Sequence, residues 1–138
     1  MARILALDYG TRRTGIAVTD PLQLIASGLT TVSTPELLDF LKAYLAQESV
    51  CKIVIGKPKR LNNEDSETEI YITAFIEQLK KAFPELDLIR VDERFTSKMA
   101  FQSLIDGGLK KKQRQNKALI DQVSATLILQ SYLEQKPL

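Results

Sequence analysis

Three carboxylates stand where acids are uncommon. Asp8 closes the apolar run Ile4-Leu5-Ala6-Leu7, and a charge at the end of a buried strand must face water, a partner or a metal. Glu93 lies in Asp92-Glu93-Arg94, directly after the strand-like segment Leu86 to Val91. Asp121 lies between Ile120 and Val123, with Ala125, Ile128 and Tyr132 at helical spacing on its face and Ser124 beside it. Each also has an ordinary reading. Strands often give way to turns at Asp, Glu93 can form a weak surface pair with Arg94, and an acid near a helix start is favoured by the helix dipole. Gathered at one end of a sheet, the three would make an all-oxygen site of the kind that holds Mg²⁺ or Mn²⁺.

The rest of the composition narrows the chemistry to that kind. The 138 residues include no histidine, no tryptophan and one cysteine. A Ser-His-Asp triad, a Cys-His pair and a His-ligated zinc or haem iron are therefore excluded. One thiol makes neither an internal disulfide nor a cysteine zinc cluster, and Cys51, with no histidine base, reads as a half-buried apolar residue. Gly10 and Gly15 do not make a P-loop, because Ile16 stands where Gly-Lys-Ser/Thr would end one. Hydrophobic residues at 44% and charged residues at 26% are globular values, and the length suits one domain over residues 1–138. No apolar stretch is long enough to span a bilayer, and the N-terminal residues lack the pattern of a signal peptide. A cytoplasmic setting is expected, away from membranes.

The elements that must position these acids are readable from periodicity. Arg3 to Asp8, Ile16 to Thr19 and Ser27 to Val32 read as strands joined by short turns, hence as antiparallel neighbours. Thr34-Pro35 signals a helix start, with Thr34 as N-cap and Leu37, Leu38, Leu41 and Leu45 on one face. Lys52 to Gly56 is a fourth strand. Ser66 and Glu69 have capping-box spacing ahead of a helix with the apolar face Ile72, Phe75, Ile76, Leu79 and Phe83. Leu86 to Val91 is a fifth strand. Thr96 or Ser97 caps a short helix that ends at Gly107-Gly108. A last helix runs from about Ala118 to Leu133, with Leu119, Ile120, Val123, Leu127 and Ile128 expected to face inwards. Three antiparallel strands followed by strand-helix alternation predict an α/β fold: a single mixed five-stranded sheet with helices on both faces.

The net charge of +2 conceals basic clusters. Lys110, Lys111, Lys112, Arg114 and Lys117 have no acid among them and lead into the segment that carries Asp121. Lys57, Lys59 and Arg60 follow the fourth strand, Arg12 and Arg13 lie in the turn after Asp8, and Arg94 adjoins Glu93. One such cluster is ordinarily a solvated loop; three beside candidate cation ligands read as phosphate contacts for nucleic acid. Tyr9 is placed either to stack on a base or to pack beside the turn.

Three stretches carry a family resemblance: Leu7-Asp8-Tyr9-Gly10-Thr11-Arg12-Arg13-Thr14-Gly15-Ile16-Ala17-Val18-Thr19-Asp20, then Asp92-Glu93-Arg94-Phe95-Thr96-Ser97, then Ile120-Asp121-Gln122-Val123-Ser124-Ala125. In their order and spacing the chain resembles the YqgF/RuvX family of RNase H-like nucleases along essentially its whole length. The resemblance implies an RNase H-like fold and implies Asp8, Glu93 and Asp121 as catalytic acids that hold a pair of Mg²⁺ or Mn²⁺ ions. It implies a hydrolase acting on phosphodiester bonds of structured nucleic acid. The first expected role is 5′-end processing of precursor 16S rRNA; the alternative, by analogy with RuvC, is resolution of Holliday junctions in branched DNA. The chain departs from the family after Ile55-Gly56, where Leu-Pro is usual and Lys57-Pro58-Lys59-Arg60 stands instead. It departs again at Val123-Ser124, where small alanines are common. A monomer or weak homodimer is expected.

Two rival readings compete with this one. Asp8-Tyr9-Gly10-Thr11 also resembles the phosphate hairpin of the actin, sugar-kinase and Hsp70 class, but that class encloses ATP between two such domains. A non-catalytic RNA-binding module on the same fold is disfavoured by the presence of all three acids.

Overall fold

The central strand of the sheet owes its place to four consecutive apolar residues. Ile4, Leu5, Ala6 and Leu7 have no exposed surface, which requires cover on both faces. In the computed structural model, which describes residues 2–57, 67–92 and 117–135, they belong to β1 (Arg3–Tyr9). The other elements are β2 (Arg13–Thr19), β3 (Ala26–Ser33), a 3₁₀ turn (Thr34–Glu36), α1 (Leu37–Gln47), β4 (Val50–Lys57), α2 (Thr68–Ala82), β5 (Asp87–Asp92) and α3 (Lys117–Gln135). The strands form one five-stranded sheet in the order β3-β2-β1-β4-β5. β1–β2 and β2–β3 are antiparallel, while β1–β4 and β4–β5 are parallel. This is the mixed sheet expected from the sequence.

Strand alternation sorts the core into two layers. Leu5, Leu7, Ile16, Ile53 and Ile55 face α1 and α2, which contribute Leu37 and Leu41, then Ile72, Phe75, Ile76 and Leu79. Ile4, Ala6, Ala17 and Val54 face α3, which contributes Ala125, Ile128 and Leu129. The first layer is built from large side chains and the second contains several alanines. Helices therefore lie on both faces, and α3 comes nearer to the sheet.

The nearest approach is at Gly15 on β2. A Cβ built there would overlap the backbone carbonyl of Asp121, so only glycine admits α3 at this distance. One turn earlier, Thr31 of β3 donates its hydroxyl to the Ala118 carbonyl at 2.6 Å. Gly15 and Thr31 are register partners, so the first turn of α3 rests on a single row of residues running across the sheet.

Several local expectations change. Thr34 does not cap α1: it sits inside the 3₁₀ turn, whose N-cap is Ser33, and its side chain is spent elsewhere, as described below. The proposed capping box is not how α2 begins. Its N-cap is Glu67, without a side-chain cap bond, and the Glu69 carboxylate binds Arg90 instead; Ser66 lies outside the described residues. On α3, Ala125, Leu127, Ile128 and Leu129 are buried, whereas Leu119, Ile120 and Val123 are only half-buried. That helix is apolar on most sides, so periodicity alone does not single out its inner face. The expected helix after Thr96 or Ser97 and its end at Gly107-Gly108 lie outside the described residues. Among the described residues no helix is long and apolar enough to cross a membrane.

Gly15→Ala should destabilise the fold by about 1–3 kcal/mol, the usual cost of an overpacked contact, and lower the urea midpoint accordingly. An unchanged midpoint would show that α3 does not depend on the missing side chain.

Candidate functional site

The row that seats α3 also carries the first candidate acid. Asp8 of β1 is the register partner of Gly15, and Gly15 lies against Asp121. Close packing at one glycine thus brings two acids, 113 positions apart by their numbering, to one end of the sheet. Both line a cavity of ≈ 320 Å³ whose wall includes Gly10, Arg12, Arg13 and Thr68. Asp8, Asp121, Arg12 and Arg13, each singled out in the sequence, thus line one cavity.

Arg13 is held more firmly than a free phosphate ligand would be. Its Nε donates to Asp121 Oδ2 at 2.6 Å, and the two side chains are 40% and 19% exposed. A partly solvated pair of this kind adds up to about 1 kcal/mol; its larger consequence is to fix the direction of the Asp121 carboxylate. An arginine carries five N–H donors, so pairing through Nε leaves the end of the fork for an anion.

The turn that bears Arg12 is braced from outside. The Thr34 backbone N–H donates to the Arg12 carbonyl at 2.9 Å, and the Thr34 hydroxyl donates to the Gly10 carbonyl at 2.5 Å. The fully buried Thr14 shares a 3.0 Å hydroxyl contact with the same Thr34 side chain. These bonds satisfy turn carbonyls that would otherwise need water. Beside the turn, the Tyr9 ring packs on Phe75 with centroids 5.3 Å apart. Burial pushes its phenol above the ordinary tyrosine value, so it remains a hydrogen-bond donor at neutral pH.

On the other side, Arg90 ties three elements together. It holds both oxygens of Glu69 at 2.9 and 2.6 Å and donates to the carbonyls of Ile55 and Gly56 at 3.3 and 3.1 Å. The end of β4, the middle of β5 and the first turn of α2 are thereby locked together. Arg90 and Thr68 were not anticipated from sequence. The lone charge inside Leu88-Ile89-Arg90-Val91 was the available signal for Arg90; Thr68 carried none.

β5 is parallel to β4, which is parallel to β1, so Asp92 ends its strand on the same side of the sheet as Asp8. Glu93 is next in the chain but lies outside the described residues, as do Lys59, Arg60, Arg94, Lys110, Lys111, Lys112 and Arg114. Lys57 is the half-buried last residue of β4, and Lys117 is the first residue of α3. Among the described residues, no three His, Cys, Asp or Glu side chains come together as a metal-binding cluster. Asp8 and Asp121 supply two carboxylates to one cavity. Arg90→Lys should cost about 1–3 kcal/mol of stability, because an ammonium cannot span the Glu69 fork and two carbonyls. Denaturant unfolding measures this, and a variant as stable as the parent would remove Arg90 from its bracing role.

Comparison with known proteins agrees with this architecture. A family model, RuvX, described as Holliday junction resolvase, matches residues 2–135. The chain is 61% identical over 133 residues to a protein of Christiangramia forsetii named "Putative pre-16S rRNA nuclease", covering 96% of this chain and 98% of that one. A protein of the same name from Bacteroides fragilis is 59% identical over 138 residues, with both chains fully covered. Among solved structures, T. thermophilus RuvC in complex with Holliday junction substrate aligns over the whole of both chains with a TM-score of 0.54 and 15% identity. That likeness shows a shared RNase H-like fold.

Proposed function

Because the chain belongs to the RuvX family, we propose that it is a metal-dependent nuclease that hydrolyses phosphodiester bonds of structured nucleic acid, with 5′-end processing of precursor 16S rRNA as its role. The observation that carries this reading is the cavity where Asp8 and Asp121 meet beside Arg12 and Arg13. The names of relatives at about 60% identity favour the rRNA role over junction resolution, and the work would be done in the cytoplasm. The family description and the RuvC fold keep the branched-DNA reading as the second.

The donors fit a hard divalent cation: they are carboxylate oxygens, with no histidine anywhere in the chain. Asp8 and Asp121 would hold Mg²⁺ or Mn²⁺, and Glu93, following Asp92 at the same end of the sheet, would complete the set. A pair of such ions supplies activation of the attacking water and stabilisation of the leaving oxygen. The remaining work falls to the chain's own groups. Arg12, on its braced turn, would hold a substrate phosphate. Arg13 keeps Asp121 aimed into the cavity and offers the rest of its fork to the same phosphate. Lys57 and the basic segments 57–60 and 110–117 would follow the strand on either side through phosphate contacts.

A nuclease assay with precursor 16S rRNA and a four-way DNA junction, in Mg²⁺ and in EDTA, tests the proposal. Cleavage of the rRNA should require Mg²⁺ and exceed cleavage of the junction. Asp8→Asn should lower the rate by at least about a thousandfold, since metal-held charge stabilisation amounts to several kcal/mol. Substantial Mg²⁺-dependent cleavage by Asp8→Asn would overturn the assignment, and preference for the junction would move the role to recombination.

A further inference from the structure

A second cavity, of ≈ 350 Å³, adjoins the first, and Tyr9 and Thr11 line both. Its character is different. The first is walled by charged groups, Asp8, Arg12, Arg13 and Asp121; among the described residues, none that lines the second is charged. One wall is a single face of α2, with Tyr71, Ala74, Phe75 and Gln78 at helical spacing. Ala74, one turn from both Tyr71 and Gln78, leaves room between them. The opposite wall is Pro35 and Leu38 at the start of α1.

Two features give this cleft the chemistry of a base-binding site. Its aromatic surface is presented rather than hidden: Tyr71 is 57% exposed at the rim, while Phe75 is only 6% exposed and backs the Tyr9 ring at 5.3 Å. Its polar groups Thr11 and Gln78 are neutral and include both donors and acceptors, as the edge of a base requires; the Thr34 hydroxyl, also in the lining, is engaged by Gly10 and Thr14. A phosphate belongs in the charged cavity and gains nothing in this one. A nucleobase, with a π face and a hydrogen-bonding edge, matches it.

We propose that this cleft binds one unpaired nucleobase of the strand whose phosphate occupies the adjoining cavity. The phosphate placement rests on the nuclease reading above; the base subsite itself does not need catalysis. The protein then takes its substrate locally single-stranded at the point of cleavage, with Tyr71 as the stacking residue.

The test uses the full chain, EDTA to prevent cleavage, and single-stranded RNA oligonucleotides carrying 2-aminopurine at successive positions. The chain has no tryptophan, so the probe's emission is read without overlap. Binding should quench the probe at one position. Tyr71→Ala should weaken binding about tenfold, within the range for one base-aromatic stack, and abolish the quenching. Tyr71→Phe should retain both. An abasic site at the quenched position should cost the parent protein the same factor and cost Tyr71→Ala nothing more. If Tyr71→Ala, folded by circular dichroism, binds and quenches like the parent, the subsite is overturned. Position-specific quenching by a protein that cleaves nothing in Mg²⁺ would support the subsite while removing the nuclease reading. Cleavage indifferent to Tyr71 would do the reverse.

Discussion

The contact on which the site depends is a backbone one. α3 lies so close to β2 at Gly15 that the Asp121 carbonyl takes the space a side chain would fill. Since Gly15 is paired with Asp8 across β1 and β2, this distance sets how near two carboxylates stand. Neither acid needs a specific bond to the other to be placed there. The sheet supplies one coordinate, the helix supplies the second, and the Arg13 ion pair on Asp121 supplies the orientation.

The unequal faces of the sheet follow from the same requirement. Where α1 and α2 pack, leucine, isoleucine and phenylalanine fill the space. Where α3 packs, Ala6, Ala17 and Ala125 forgo side-chain volume in exchange for proximity. Among the described residues, the α1–α2 face thus carries the larger buried side chains, and the α3 face presents functional groups at close range. The braces divide similarly: Thr34 holds the β1–β2 turn, and Arg90 joins β4, β5 and α2.

What could be read in advance was what a local pattern encodes. Asp8 and Asp121 were visible because an acid inside an apolar segment is conspicuous, and the antiparallel first three strands and the mixed sheet followed from turn lengths and alternation. The clamps were not visible, because each spans the fold. Glu69 fits a capping-box spacing with Ser66, yet a guanidinium 21 positions away outcompetes the backbone for its carboxylate. Thr34 reads as a helix cap before Pro35, but the turn carbonyls of Gly10 and Arg12 engage it first. On α3, Leu127 and Ile128 are buried as expected, while Leu119, Ile120 and Val123 are only half-buried. Its apolar residues surround most of the helix, so periodicity does not single out the face that packs.

Asp8 and Asp121 are proposed to serve one cation. Calorimetric titration of Mn²⁺ into the parent protein, Asp8→Asn, Asp121→Asn and the double variant tests this without any substrate. Each single change should weaken binding by at least about tenfold, and the double change should cost clearly less than the sum of the two, as coupled ligands of one ion require. Single variants that bind Mn²⁺ like the parent, or losses that simply add, would contradict a shared ion.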